Sequence, residues 1–340
     1  MSKWYENSGF ESDVVLCTHI CLARNLVGVP FPVRMSRPDS LKLKQKIAAI
    51  LEEAPSAFGL YFIDIENISK IEAVSLVERH LVSPEFISNC KGRAILVNDD
   101  ESLSAMVNGE DHLHLQSILG GLDFQSAYGA ADYLDSLLEK PFHFAFDEAL
   151  GYLTQNPAHL GTGMRASLIL HLPALKEEGS IARISTSLSK LGLVLRDMYA
   201  SANGTPGALY RLSNQVTLGL SEQEALSNLE SIAMQIILQE RSARAELAQS
   251  IHMQDIVSRS LGILKSARIL TNEEFMDFIS NVRFGISVGL VENIDYGEIN
   301  SLIIEMQPAT LMLSCGGKLT VSERHRLRAQ KVSEVFQAIG

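Results

Sequence analysis

An α+β fold is what this sequence predicts, with one large antiparallel or mixed sheet backed by helices and a helical unit after it. Three observations carry that prediction. Up to about residue 220, short runs rich in β-branched residues alternate with helical stretches. After Ser221 apolar residues recur at helical spacing to the end. A chain of 340 residues is also long for one small core and comfortable for two units. The boundary is expected near residue 245, giving a sheet-bearing unit over 1–245 and an all-helical unit over 246–340.

The elements follow in order. From Val14 to Ala23 the run VVLCTHICLA alternates, so Cys17, His19 and Cys21 share one face of a strand. A helix over Ser40 to Glu53 follows, then a strand over Leu60 to Ile65 and a helix from Ser69 that stops near Pro84. Between Gly92 and Gln116 the runs RAILVN, LSAMV and HLHLQ, punctuated by Asn-Asp-Asp and Asn-Gly, read as antiparallel strands joined by tight turns. Further sheet is expected around Phe142 to Phe146, Leu168 to Leu172 and Gly192 to Tyr199, with helices over Ala127 to Glu139 and Ile181 to Lys190. Ser221 and Glu224 form a capping-box pair, opening a helix that keeps Leu226, Leu229, Ala233, Ile236 and Ile237 on one stripe. Helical periods then cover Ile256 to Ala267, Asn272 to Ile286, Tyr296 to Met306 and Val321 to Ile339.

The formal net charge of -11 comes without a lysine-rich or arginine-rich block, which argues against nucleic acid and anionic lipid as partners. The N-terminus lacks the apolar core of a signal peptide, and no stretch approaches the roughly 18 apolar residues of a membrane span. A cytoplasmic protein is expected. Its cysteines, Cys17, Cys21, Cys90 and Cys315, show no disulfide spacing and read as thiols, the last two as buried ones.

Five blocks in order resemble the guanidino-phosphotransferases, or phosphagen kinases, and within them the bacterial protein-arginine kinase branch. They are VVLCTHICLARNL from Val14, ERHLVSPEF from Glu78, VNGEDHLHLQ from Val107, GYLTQNPAHLGTGMRASLILHLPAL from Gly151 and SNQVTLGLSE from Ser213. SCGGKL at Ser314 and ERHRLRAQKV at Glu323 extend the likeness. The resemblance implies an antiparallel-sheet catalytic domain in which strand-borne arginines clamp the phosphates of magnesium-ATP, while glutamates and a cysteine grip a guanidinium. It also implies phosphorylation of protein arginines, a homodimer through the C-terminal domain, a zinc-binding activator protein and a Clp-type unfoldase as partners.

Residue by residue, the resemblance is broken at the chemistry. Where the family's first strand reads Ser-Ser-Arg-x-Arg, the two arginine positions hold His19 and Cys21, and a third holds His114. Arg165, after the glycine-rich turn, and Arg196 are the arginines expected to face the nucleotide cleft. Of the family's two successive glutamates, the first is Gly109; Glu110 matches the general base and is followed by Asp111. Asn156 stands at the thiolate position, and the loop that carries the second glutamate has Ser201 and Gly204 without any carboxylate. In the C-terminal motif associated with phosphoarginine reading, Arg324 and Arg328 remain while the aspartate and last arginine are His325 and Ser333. The basic run from Arg324 to Lys331 is by itself a solvated helix face, and His112 a satisfied structural histidine.

The expectation is therefore a pseudokinase acting as scaffold or adaptor, with no resident cofactor. The rivals are an active kinase using magnesium-ATP in a rebuilt site, and a module holding an anion or metal in the old cleft. For the metal, Cys21, His19 and His114 are the ligand set to test. Apolar Leu302, Ile303 and Met306, expected to be incompletely buried, motivate the dimer.

Overall fold

The computed structural model describes residues 2–53, 59–199 and 205–338. Its framework is an eight-stranded sheet in the order β2-β3-β4-β5-β1-β8-β10-β9, every pairing antiparallel. The strands are β1 (Val15–Arg24), β2 (Tyr61–Asp64), β3 (Ala94–Val97), β4 (Leu103–Val107), β5 (Leu113–Gly120), β8 (Met164–His171), β9 (Leu193–Asp197) and β10 (Leu209–Asn214). β6 (Phe146–Asp147) and β7 (Gly151–Tyr152) form a separate ribbon. Of the sheet expected around Phe142 to Phe146, Phe142 ends the preceding helix, Phe144 bridges Leu26 in antiparallel fashion and Phe146 begins β6.

The first seven helices are α1 (Arg37–Glu53), α2 (Lys70–Glu78), α3 (Pro84–Ser88), α4 (Phe124–Phe142), α5 (Pro173–Glu177), α6 (Ile181–Ser189) and α7 (Glu222–Leu247). Ser69 and Ser221 open α2 and α7 with reciprocal capping boxes. α2 ends at Glu78, before the expected stop, since His80 takes a left-handed backbone (φ 64°), and Pro84 instead opens α3. α8 (Ile251–Ser266), α9 (Asn272–Ser287), α10 (Tyr296–Glu305), α11 (Pro308–Ser314) and α12 (Val321–Ala338) complete the chain. No helix among the described residues is long and apolar enough to cross a membrane.

The sheet's two faces have different fates because side chains alternate along each strand. Ile20, Leu22, Leu115, Ala166 and Leu168 face α4 and α7, where Leu134, Leu138, Leu226 and Leu229 complete the main core. On the opposite face Cys17, Ile118, Ile169 and Leu209 join Phe275, Ile279, Ile303 and Phe336 of the C-terminal helices, with Trp4 and Tyr5 in the same cluster. A third cluster seats α2 and α3 on Ile95, Val97 and Met106. Leu302, Ile303 and Met306 are no more than 4% exposed, so the apolar surface that motivated a dimer is used inside the chain. Cys90 is half-buried and Cys315 exposed, against the expectation of two buried thiols.

Candidate functional site

Between the start of α1 and α3 on one side and the turn before β8 on the other, the second face of the sheet opens into a cleft of about 840 Å³. β1 delivers His19 and Cys21 to it, as the strand alternation predicts. His19 Nε2 lies 3.0 Å from Gln116 Oε1, and Gln116 donates its own Nε2 to the Leu81 carbonyl at 2.7 Å. With Gln116 Nε2 donating to Leu81, Oε1 is left as the acceptor, so His19 donates to it from Nε2. Burial, with the charge of Arg211 beside it, lowers its pKa to about 3. Burial also pushes the Cys21 thiol up to about 12, although Arg165 pulls the other way.

On the next strand, His114 Nε2 is 3.0 Å from Asp111 Oδ2. Asp111 Oδ1 accepts from Asn25 Nδ2 and from the Gln155 backbone N–H at 2.7 Å. Burial raises the pKa of Asp111, but the His114, Gln155 and Asn25 contacts outweigh it and hold the carboxyl below its usual range. Glu110 is exposed and lines the cleft, as does Gly109. The ligand-bearing cluster that forms among the described residues is Glu110, Asp111 and His114, not His19, Cys21 and His114. His112 is fully satisfied by the Leu26 N–H and the Pro30 carbonyl.

Arg165 opens β8 directly across from Cys21. The preceding turn needs its glycines: Gly161 and Gly163 have φ of 101° and 62°, and a Cβ on Gly163 would lie 2.8 Å from the Ala23 carbonyl. Arg196, expected beside it, is exposed on the edge strand β9 and is not among the residues that line the cleft. Asn156 instead caps a short 3-10 turn by accepting from the Ala158 N–H, and places Gln155 and His159 at the cleft wall. Ser201 and Gly204 lie outside the described residues.

Sequence reasoning missed Arg211. It sits on β10, paired across from Ile169 and Arg196, and lines the cleft. The run LYRLSN, with Leu209, Tyr210 and Leu212 around it, is a legible strand signal, and its alternation would have put Arg211 on the cleft face. With Arg37, Lys91, Arg93 and Arg165 it makes five cations lining the cleft, against the carboxylates of Glu85 and Glu110. An anion is the ligand that such a lining favours, even in a chain of net charge -11.

Of the second expected arginine pair, Arg324 is half-buried and Arg328 is turned inward. Arg328 is 1% exposed and donates to the Met306 and Leu270 carbonyls at 2.9 and 3.1 Å. Burial, reinforced by neighbouring Arg324, lowers its pKa to about 10. The basic run on α12 is therefore solvated only in part, with Arg328 fastening α12 to its neighbours.

Comparison with known proteins places this architecture. Residues 42–243 match the family model for the ATP:guanido phosphotransferase C-terminal catalytic domain, and residues 250–340 that for the C-terminal domain of protein-arginine kinase McsB. A protein-arginine kinase of Symbiobacterium thermophilum is 42% identical over 335 residues, covering 96% of this chain and 94% of that one. The chain belongs to the protein-arginine kinase family. A second member, from Halothermothrix orenii, is 40% identical over 98% of this chain and 95% of its own length. Among solved structures, lombricine kinase shares the fold with a TM-score of 0.59 at 20% identity, over 70% of this chain and 69% of that one. The duplicated taurocyamine kinase of Schistosoma mansoni gives 0.61 at 18% identity, over 86% and 50%.

Proposed function

We propose that this chain is a protein-arginine kinase homologue that has given up phosphoryl transfer and acts by binding, as a scaffold or adaptor in a protein-arginine-phosphorylation or Clp-protease system. The observation that carries this reading is the state of β1 and β5. His19 is neutral and hydrogen-bonded to Gln116, Cys21 is a protonated thiol, and His114 faces Asp111. Phosphoryl transfer depends on cations along the phosphate oxygens and on a held nucleophile. Each charge-assisted contact is worth roughly 1.5 to 3 kcal/mol, so three missing ones remove on the order of 5 kcal/mol even at the low end. These residues do not fit the polyphosphate of magnesium-ATP. A homodimer, a zinc-binding activator and a Clp-type unfoldase are the partners that this reading takes from the family.

The test is transfer from labelled ATP to arginines of an acceptor protein, scored as acid-labile product, for the chain and for Glu110→Gln. Equal background in both is expected. Robust transfer that disappears in the Glu110 variant sinks the reading in favour of a rebuilt active site.

A further inference from the structure

The phosphate-side charge of the cleft has moved rather than vanished. β1 faces the cleft with a neutral imidazole and a thiol, yet Arg211 reaches over the same strand from β10, close enough to act on Cys17, His19 and Cys21. Arg165 lies on β8, the strand between β1 and β10, directly across from Cys21, so both arginines reach the cleft from the same side of β1, and the two guanidinium groups repel one another. Among the described residues neither has a carboxylate partner, and the contact Arg211 does make is a weak one from Nη2 to the Met198 thioether at 3.8 Å. Arg211 is partly buried, and burial together with Arg165 lowers its pKa. Two like charges lining open space without a counter-ion favour an anion between them, and a guanidinium group binds a tetrahedral oxyanion in bidentate fashion.

We propose that Arg211 and Arg165 together hold one compact phosphoryl dianion, either orthophosphate or a phosphomonoester, in preference to a nucleoside triphosphate. The preference follows from where cations are absent. A triphosphate needs positive groups spread along its length, and the next positions outward, His19, Cys21 and His114, supply none that is free and charged. On the opposite wall Arg93 is committed to the carbonyls of Asn108, Glu85 and Phe86, and Arg37 pairs with Glu66. That leaves Lys91 exposed at the rim. A single dianion meets two guanidinium groups at once; extending it outward adds charge without adding partners. This inference rests on the binding-only reading of the cleft.

The experiment is calorimetric titration of the full chain with inorganic phosphate, phenyl phosphate and magnesium-ATP. One equivalent of inorganic phosphate should bind saturably, and more tightly than magnesium-ATP. Arg211→Gln and Arg165→Ala should each weaken it at least tenfold, and Arg259→Ala, on the exposed surface of α8, should leave it unchanged. Tighter binding of phenyl phosphate points to a monoester as the ligand, equal or weaker binding to free phosphate, and either sustains the site. No saturable phosphate binding, unchanged binding in both cleft variants, or tighter binding of magnesium-ATP overturns the proposal. Should Arg211→Gln fail to fold, Arg165→Ala decides alone, since that side chain is exposed. A chain that binds phosphate this way but also transfers phosphoryl groups would refute the binding-only reading and keep the site; one that does neither would do the reverse.

Discussion

Glu78 caps a helix that lies more than two hundred residues further along the chain. Its carboxylate accepts from the backbone N–H groups of Ala309 and Thr310 at 2.9 and 2.7 Å, and from the Thr310 hydroxyl at 2.8 Å. The end of α2 thereby holds the start of α11, with Ser75 and Thr310 in contact beside it at 3.1 Å. Orphan N–H groups at a helix start are satisfied by a carboxylate brought from elsewhere in the fold.

Replacing Glu78 with Ala should cost about 1 to 3 kcal/mol, because two partly buried N–H groups lose their acceptor. Glu78→Gln should recover part of that loss. Urea midpoints of the three proteins measure it, and an unchanged midpoint in Glu78→Ala would remove the cap from the account.

Acid should weaken the fold before its carboxylates titrate. His19 has its folded pKa depressed to about 3, and His171 is held well below its ordinary value by burial and by Arg244. For a depressed histidine the stabilisation is complete above the unfolded value of about 6.5 and is lost as pH falls from there toward the folded value. For His19 the loss should be roughly 2 kcal/mol between pH 7.5 and pH 5, and His171 should add a loss of the same sign. Denaturation curves at both pH values should show His19→Gln losing less than the parent; an equal loss would mean that His19 titrates normally.

Restoring an arginine at His19 should not restore the kinase site and should harm the fold. A third guanidinium beside Arg211 and Arg165 is an uncompensated buried charge, worth about 3 kcal/mol of destabilisation. Millimolar phosphate should return part of it by binding the native state. The penalty should shrink in an Arg211→Gln background, and equal penalties in the two backgrounds would show that the residues do not share a site.

Arg328→Gln should lower stability by about 1 to 3 kcal/mol, since Met306 and Leu270 lose charged donors. A thermal midpoint unchanged from the parent would return Arg328 to the role of a free anion receptor.

The sheet and most helices were legible because each has a local signal: alternation at Val14 to Ala23, serine caps at Ser69 and Ser221, helical stripes after residue 221. Arg211 was not, because the site was read through positions that resemble a known pattern and this cation lies at none of them. Arg328 misled for the opposite reason. It fits a motif, yet it stands one turn before Val332 and two before Phe336, both fully buried, so the helical period already placed it inward. Leu302 and Ile303 misled because the sequence does not reveal that Trp4 and Tyr5 return to join the C-terminal core.

That return has a consequence for how the molecule is made. A ribosome delivers Trp4, Tyr5 and Cys17 first and Phe336 last, although all four belong to one cluster. At about 5 to 20 residues per second, the sheet's second face waits several seconds for the helices that cover it. During that interval Ile118, Ile169 and Leu209 stand open to other chains. A premature stop before α9 and α10, which carry Phe275, Ile279 and Ile303, leaves a sticky sheet rather than a smaller working protein.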